Sequence, residues 1–317
     1  MRFLKLMMFF LLFSFSSLHV SSSNLDQVVH IVNAFSNRDQ GGNPAAIVLN
    51  ADRLSKEKMQ TIAKQVGDLK LARLTVFVSK PENPKNDYRL QFFTPVKQIP
   101  HCGHATIAAF NYLIQSGAEK RSTFTKETID GTRKIFIKGD RTFMEQHAPT
   151  YKNIFGSVSL DELSQALQIP SQEFITNPQP EIVSTGNQFL IIGVKSPAIL
   201  QKIKPNLPII KEISDRLGLI AFYVFALGRN DVDAEARMFA PLYGIDEESA
   251  SGTAAASLGC YLYDKYNLKK SFFEIEQGRF MVNPSISRIY VNLKVEDEKI
   301  KSHQVGGTAR YIKHRKL

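Results

Sequence analysis

The residues best suited to chemistry lie at two matching places. In Gln91–Tyr112 (QFFTPVKQIPHCGHATIAAFNY), a strand end and a proline-marked turn lead into a helix of small and apolar residues. That helix opens on Gly103-His104-Ala105-Thr106. Backbone N–H groups in a first helical turn have no intrahelical partner and carry partial positive charge, so they suit an anion. An imidazole in the same turn can move a proton beside that anion. The combination points to proton transfer on a small carboxylate. A weaker copy follows at Met238–Tyr263 (MFAPLYGIDEESASGTAAASLGCYLY), where Phe-x-Pro again precedes a turn and a helix, now opening on Ser251-Gly252-Thr253-Ala254.

The rest of the chain must hold those two helix starts. With 317 residues, 43% of them hydrophobic, it has ample length for a buried core and about two domains. The copies lie about half a chain apart, which suits two related halves better than a short-period solenoid. The net charge of +10 favours anionic partners. No nucleic-acid motif accompanies it, so a solvated basic surface and a small anionic substrate are expected, with no nucleic-acid partner. Cys102 and Cys260 show neither CxxC nor metal-ligand spacing and are expected to be free thiols, and no metal is expected. At the N-terminus, Arg2 and Lys5 precede an apolar run from Leu6 to Leu18, and Ser21-Ser22-Ser23 follow. This is the order of a secretory signal, too short to span a membrane comfortably. An extracytoplasmic protein, with no membrane partner after cleavage, is the expectation.

Hydrophobic alternation predicts strands at 28–35 and 43–49, a helix from Ser55 to Val66, and strands at 71–79 and 87–94. Helix 103–115 is apolar on most sides and must therefore be buried, with strands wrapped around it. The second half repeats the scheme around helix 252–266. Residues 148–158 read as an irregular crossover. The expectation is an α+β protein of two pseudo-symmetric lobes, each a mostly antiparallel sheet rolled around a central helix. The boundaries are a signal-like segment 1–23, lobes 24–147 and 148–312, and a basic tail 313–317.

Several phrases in order carry a resemblance. They are Asn33-Ala34-Phe35 with Gly42-Asn43-Pro44-Ala45-Ala46, Phe92-Phe93-Thr94-Pro95, Cys102-Gly103-His104-Ala105-Thr106, and Ser184-Thr185-Gly186. Arg237-Met238-Phe239-Ala240-Pro241, 247–254, Glu276-Gln277-Gly278 and Val305-Gly306-Gly307 complete the set. Together they resemble the phenazine-biosynthesis isomerase family (PhzF-like) from about Val28 to about Ile312. The resemblance implies the diaminopimelate-epimerase fold with its site between the lobes. It further implies proton-shuttling isomerisation without cofactor, a homodimer, and a family that is mostly cytoplasmic.

Carried over residue by residue, the resemblance makes His104 and Glu248 the catalytic pair. Asn43, Gly103, Gly252 and Thr253 become substrate-binding or backbone-shaping residues. One position departs: Leu74 stands where the family has its central glutamate, and leucine can neither take nor give a proton. Glu248 replaces an aspartate, and Ser249 a proline. Asp68, His101 and Glu247 are the groups that could substitute for the missing acid. His101 also reads as a structural or exposed residue, His104 as a core histidine, and Glu248 as a solvated acid. Cys102 matches a thiol base of related racemases, but Ser251 stands opposite, so a buried small hydrophobe is the simpler reading. Two functions remain open: a cofactor-independent isomerase of a small carboxylate, or a catalytically impaired homologue that binds a carboxylate or a partner.

Overall fold

A computed structural model describes residues 27–154, 156–229 and 231–317; the signal-like segment 1–23 lies outside the described residues. The first lobe contains β1 (Val28–Ala34), β2 (Asn43–Val48), β3 (Thr75–Ser79), β4 (Tyr88–Phe93), β5 (Gln98–Ile99), β6 (Thr123–Thr128), β7 (Gly131–Lys138) and β8 (Arg141–His147). Its helices are α1 (Lys56–Asp68) and α2 (Gly103–Gln115). The second lobe begins with β9 (Thr150–Asn153) and α3 (Leu160–Leu167), then β10 (Glu181–Ser184), β11 (Gln188–Gly193), α4 (Pro197–Lys202) and α5 (Leu207–Leu217). It continues with β12 (Ala221–Leu227), β13 (Ala234–Ala240), β14 (Ile245–Glu248), α6 (Gly252–Asp264), β15 (Phe272–Gln277), β16 (Ser287–Glu296) and β17 (Lys299–Gly307). The final strand is β18 (Ala309–Lys316).

The lobes are built to one plan. Pairing runs β18-β1-β2-β3-β4-β6-β7-β8 in the first and β9-β10-β11-β12-β13-β15-β16-β17 in the second, with β5 on β4 and β14 on β13. In each lobe the third and fourth strands of this order, and then the fifth and sixth, are parallel neighbours among antiparallel ones. Parallel neighbours need a crossover, and helices supply it. The central helices α2 and α6 cross at the equivalent step, from β4 to β6 and from β13 to β15.

Each central helix is apolar nearly all round and packs inside its own sheet. Polar Thr106 and Asn111 are exceptions on α2; the Asn111 amide donates to the Ile107 and Gly307 carbonyls. In α6, Gly259 lets β16 close in, since a Cβ there would lie 2.9 Å from Val291. β8 pairs antiparallel with β17, with Met144 opposite Val305, and so joins the two sheets.

Two expectations are corrected. Residues 313–316 are not a free tail. They continue β18, which pairs along β1 from Val28 opposite Lys316 to Ala34 opposite Ala309. By pairing, the end of the chain belongs to the first lobe. The crossover at 148–158 also contains a strand, β9, paired with β10. Its residues, Thr-Tyr-Lys-Asn, are too polar to show strand periodicity.

Candidate functional site

The two helix starts are formed as the residues require. Cys102 precedes α2 in extended backbone with no side-chain oxygen to cap it, so the first-turn His104 and Ala105 N–H groups face only its weakly accepting sulfur. Ser251 holds the equivalent place before α6, and its Oγ accepts from the Ala254 N–H. Thr253 Oγ1 lies 3.5 Å from Ser251 Oγ.

His104, in the first turn of α2, has Nδ1 3.3 Å from the Cys102 sulfur. Its Nε2 is buried with no hydrogen-bond partner. Burial pulls its pKa down to about 4, so the imidazole is neutral at physiological pH. Burial likewise pushes the Cys102 thiol up to about 12, helped by the charge of Glu248. Cys102 is therefore a protonated thiol, and it is half-buried rather than buried as expected. Glu248, the last residue of β14, is the carboxylate whose field reaches this point.

Burial raises the pKa of Glu248, opposed by the Ser249 N–H, the Arg73 charge and Asn43. The Asn43 amide donates to Glu248 Oε1 at 2.9 Å and to the Ala250 carbonyl at 3.0 Å. Asn43 belongs to the first lobe and its partners to the second. Its donor is thus engaged in holding the second-lobe loop, which makes it a positioning residue for Glu248. The Gly42 carbonyl accepts from Ser249 Oγ at 3.3 Å and from Ser285 Oγ at 2.7 Å, adding to the same clasp.

The glycines differ. A Cβ at Gly252 would come within 3.1 Å of Phe35 Cζ, whereas at Gly103 the nearest neighbour would be Met144 Cε at 3.8 Å. Packing within the protein therefore favours glycine at 252 but does not demand it at 103.

Leu74 is buried in the core. Of the groups that could replace an acid there, Glu247 is fully engaged, Asp68 lies on the surface, and His101 keeps Nε2 unpartnered. Asp68 is exposed at the end of α1, 3.8 Å from Lys64. Glu247 is bonded at both oxygens by Arg237, which also donates to the Leu200 and Ile203 carbonyls. His101 Nδ1 lies 2.9 Å from Lys126 Nζ.

Three contributors were missed in the sequence. Gln277 is buried; its Nε2 donates to the Glu248 carbonyl at 2.7 Å, and its Oε1 accepts from the Ser251 N–H and the Tyr223 hydroxyl. It therefore ties the carboxylate's strand to the start of α6. Exposed Arg73, beside Leu74, places a positive charge within electrostatic reach of Glu248. Lys126 lies fully buried behind α2. The alternation of β6 (Thr-Phe-Thr-Lys-Glu-Thr) puts Lys126 on the same face as Phe124 and could have revealed it.

Two helix starts, one from each lobe of a duplicated α+β fold, gathered with an imidazole and a carboxylate, define a protein of the isomerase and epimerase class. The chain belongs to the PhzC-PhzF family, described as phenazine biosynthesis-like protein, whose sequence model matches residues 32–315. It is 30% identical to an uncharacterized isomerase of Clostridium acetobutylicum over 88% of this chain and 93% of that one. It is 28% identical to the trans-2,3-dihydro-3-hydroxyanthranilate isomerase of Pseudomonas aeruginosa over 87% of this chain and 94% of that protein. The crystal structure of a PhzF-family phenazine biosynthesis protein of Bacillus anthracis superposes with a TM-score of 0.81 at 30% identity, covering 92% of this chain and 98% of that one. These relatives lend no support to the reading as an impaired homologue.

Proposed function

We propose that the protein is a cofactor-independent isomerase that moves a proton between two carbons of a small, unsaturated carboxylate. The carboxylate sits against the N–H groups of the α2 start, with Thr253 as a further donor and Arg73 adding to the attraction. The observation that carries this reading is the opposite effect of burial on His104 and Glu248. In water an imidazole holds its proton about two pKa units more tightly than a carboxylate, roughly 3 kcal/mol. Lowering one and raising the other narrows that gap, which reduces the cost of returning through His104 a proton that Glu248 has taken.

In the proposed step the Glu248 carboxylate removes a proton from a carbon beside the substrate's double bond. The electron pair shifts along the unsaturated system. The proton passes to neutral His104, which delivers it to the far carbon. One C–H bond breaks, another forms, and no electrons are gained or lost. The substrate class follows the P. aeruginosa relative, whose name specifies a dihydro-hydroxyanthranilate.

The test is turnover of trans-2,3-dihydro-3-hydroxyanthranilate by the purified full chain in deuterated water. Product carrying solvent deuterium is expected, with His104→Ala slower by about a hundredfold or more. Exchange at the wild-type rate in that variant would refute the role of His104.

A further inference from the structure

Lys126 is fully buried on β6, yet among the described residues no carboxylate pairs with it. Its Nζ bonds His101 Nδ1 at 2.9 Å and Thr106 Oγ1 at 3.0 Å, and lies 5.3 Å from the centre of the Phe92 ring. These groups satisfy its protons without neutralising its charge. A buried ammonium with no counter-ion is costly, and a hydrophobic side chain of similar volume would avoid that cost. The Thr106 hydroxyl donates in turn to the Cys102 carbonyl at 2.8 Å. The Lys126 nitrogen is therefore one hydroxyl away from the residue that opens α2.

We propose that Lys126 is a ligand-loaded charge behind the α2 start: it takes up a proton when a carboxylate occupies the helix start, and its charge then helps to hold that carboxylate. The inference rests on the functional reading above, which places an anion on α2. It adds a positioning residue from outside the His104–Glu248 pair. In the empty protein, burial first and then Arg133 on β7 lower the pKa of Lys126 to about 7, against the opposing pull of Asp130 in the β6–β7 turn; the nearby Cys102 thiol is protonated and adds no charge. His101 is kept neutral by burial, Lys126 and Arg133. His104 is neutral by burial, and Glu248 lies across the junction.

An anion on the N–H groups of α2 supplies the missing countercharge at short range in a poorly polarisable interior, where Coulomb attraction is strong. The proton affinity of Lys126 then rises. By linkage, the charged lysine strengthens carboxylate binding by the same factor.

The experiment is titration calorimetry on the full chain with 3-hydroxyanthranilate, an aromatic carboxylate that cannot isomerise. Buffers of different ionisation enthalpy give the number of protons taken up. Uptake is expected at pH 8, where free Lys126 is mostly neutral, and is expected to vanish near pH 5.5, where it is already charged. Lys126→Met should abolish its share of the uptake and weaken binding about tenfold below pH 7. In the wild type, the side-chain NMR signal of Lys126, assigned by through-bond correlation and its contacts with the Phe92 ring, should titrate near pH 7 and its midpoint shift upward with ligand. This arm holds even if the variant misfolds. Binding without proton uptake, or a Lys126 midpoint that ligand does not move, overturns this proposal alone. Absence of binding overturns the carboxylate site itself and this inference with it.

Discussion

Burial raises the pKa of Glu248, and Asn43 of the other lobe is one of the groups that oppose it, because its amide donates to the carboxylate across the junction. The proposed shuttle needs Glu248 ionised, so activity should fall as pH drops through the raised pKa of that group. Asn43→Ala removes a bond that favours the carboxylate form and raises the pKa further. The acidic limb of kcat/KM against pH should move upward by roughly one unit, since a hydrogen bond to a charged group is worth about 1.5 kcal/mol. Measured pH–rate profiles of the two proteins check this. Buried His303 gives a second test at this scale. Burial, aided by His147, lowers its folded pKa to about 4, whereas the unfolded chain titrates near 6.5. The folded protein refuses a proton that the unfolded chain accepts. Stability is therefore whole above pH 6.5 and falls as pH drops toward 4, by roughly 3 kcal/mol from this residue. Urea midpoints at pH 7.5 and 4.5 should show a smaller drop in His303→Gln than in the wild type.

Among the elements, β17 is the most demanding, since it pairs with β16 on one side and β8 on the other. A Cβ at Gly306 would sit 2.1 Å from the Thr142 carbonyl oxygen, and one at Gly307 would sit 2.7 Å from Phe35 Cδ1. Gly306→Ala should therefore destabilise the protein by about 2 kcal/mol or more, read as a lower urea midpoint. Removing 309–317 strips β18 from β1 and exposes a sheet edge. Limited proteolysis should then cut the first lobe well before the second. The central helices and most strands were legible because their apolar residues recur at helix or strand spacing, and helix 103–115 matches α2 at both ends. β9 and β17 were not, because their Lys, Ser, His and Gln side chains break the alternation and their pairing comes from distant strands. At the site, His104 and Glu248 could be read from motif position. Lys126 and Gln277 could not be given roles, because each acts through a partner at least twenty residues away.

For the whole molecule, the base of the site is sealed: His104 Nε2 has essentially no contact with solvent, although His104, Glu248 and Thr253 each keep some exposed surface, and a ligand that reaches that nitrogen is expected to part the lobes locally. Beside the β8–β17 ladder, a cluster of polar ties across the junction centres on Gly42 and Asn43. The chain itself passes between the sheets only at Ala148-Pro149 and Thr308. Ligand binding should slow amide hydrogen exchange at 36–43 and at 249–251 together, because the same clasp holds both segments. Unchanged exchange in both would mean that the lobes do not part there. Because β18 completes the first sheet, assembly cannot follow the order of synthesis. As the nascent chain leaves the ribosome, the first lobe emerges with β1 lacking an outer neighbour and β8 lacking β17. Both gaps persist until the entire second lobe has been translated. A domain that could otherwise fold early must wait for β18, and during that interval its open edges are the part of the molecule most in need of a chaperone.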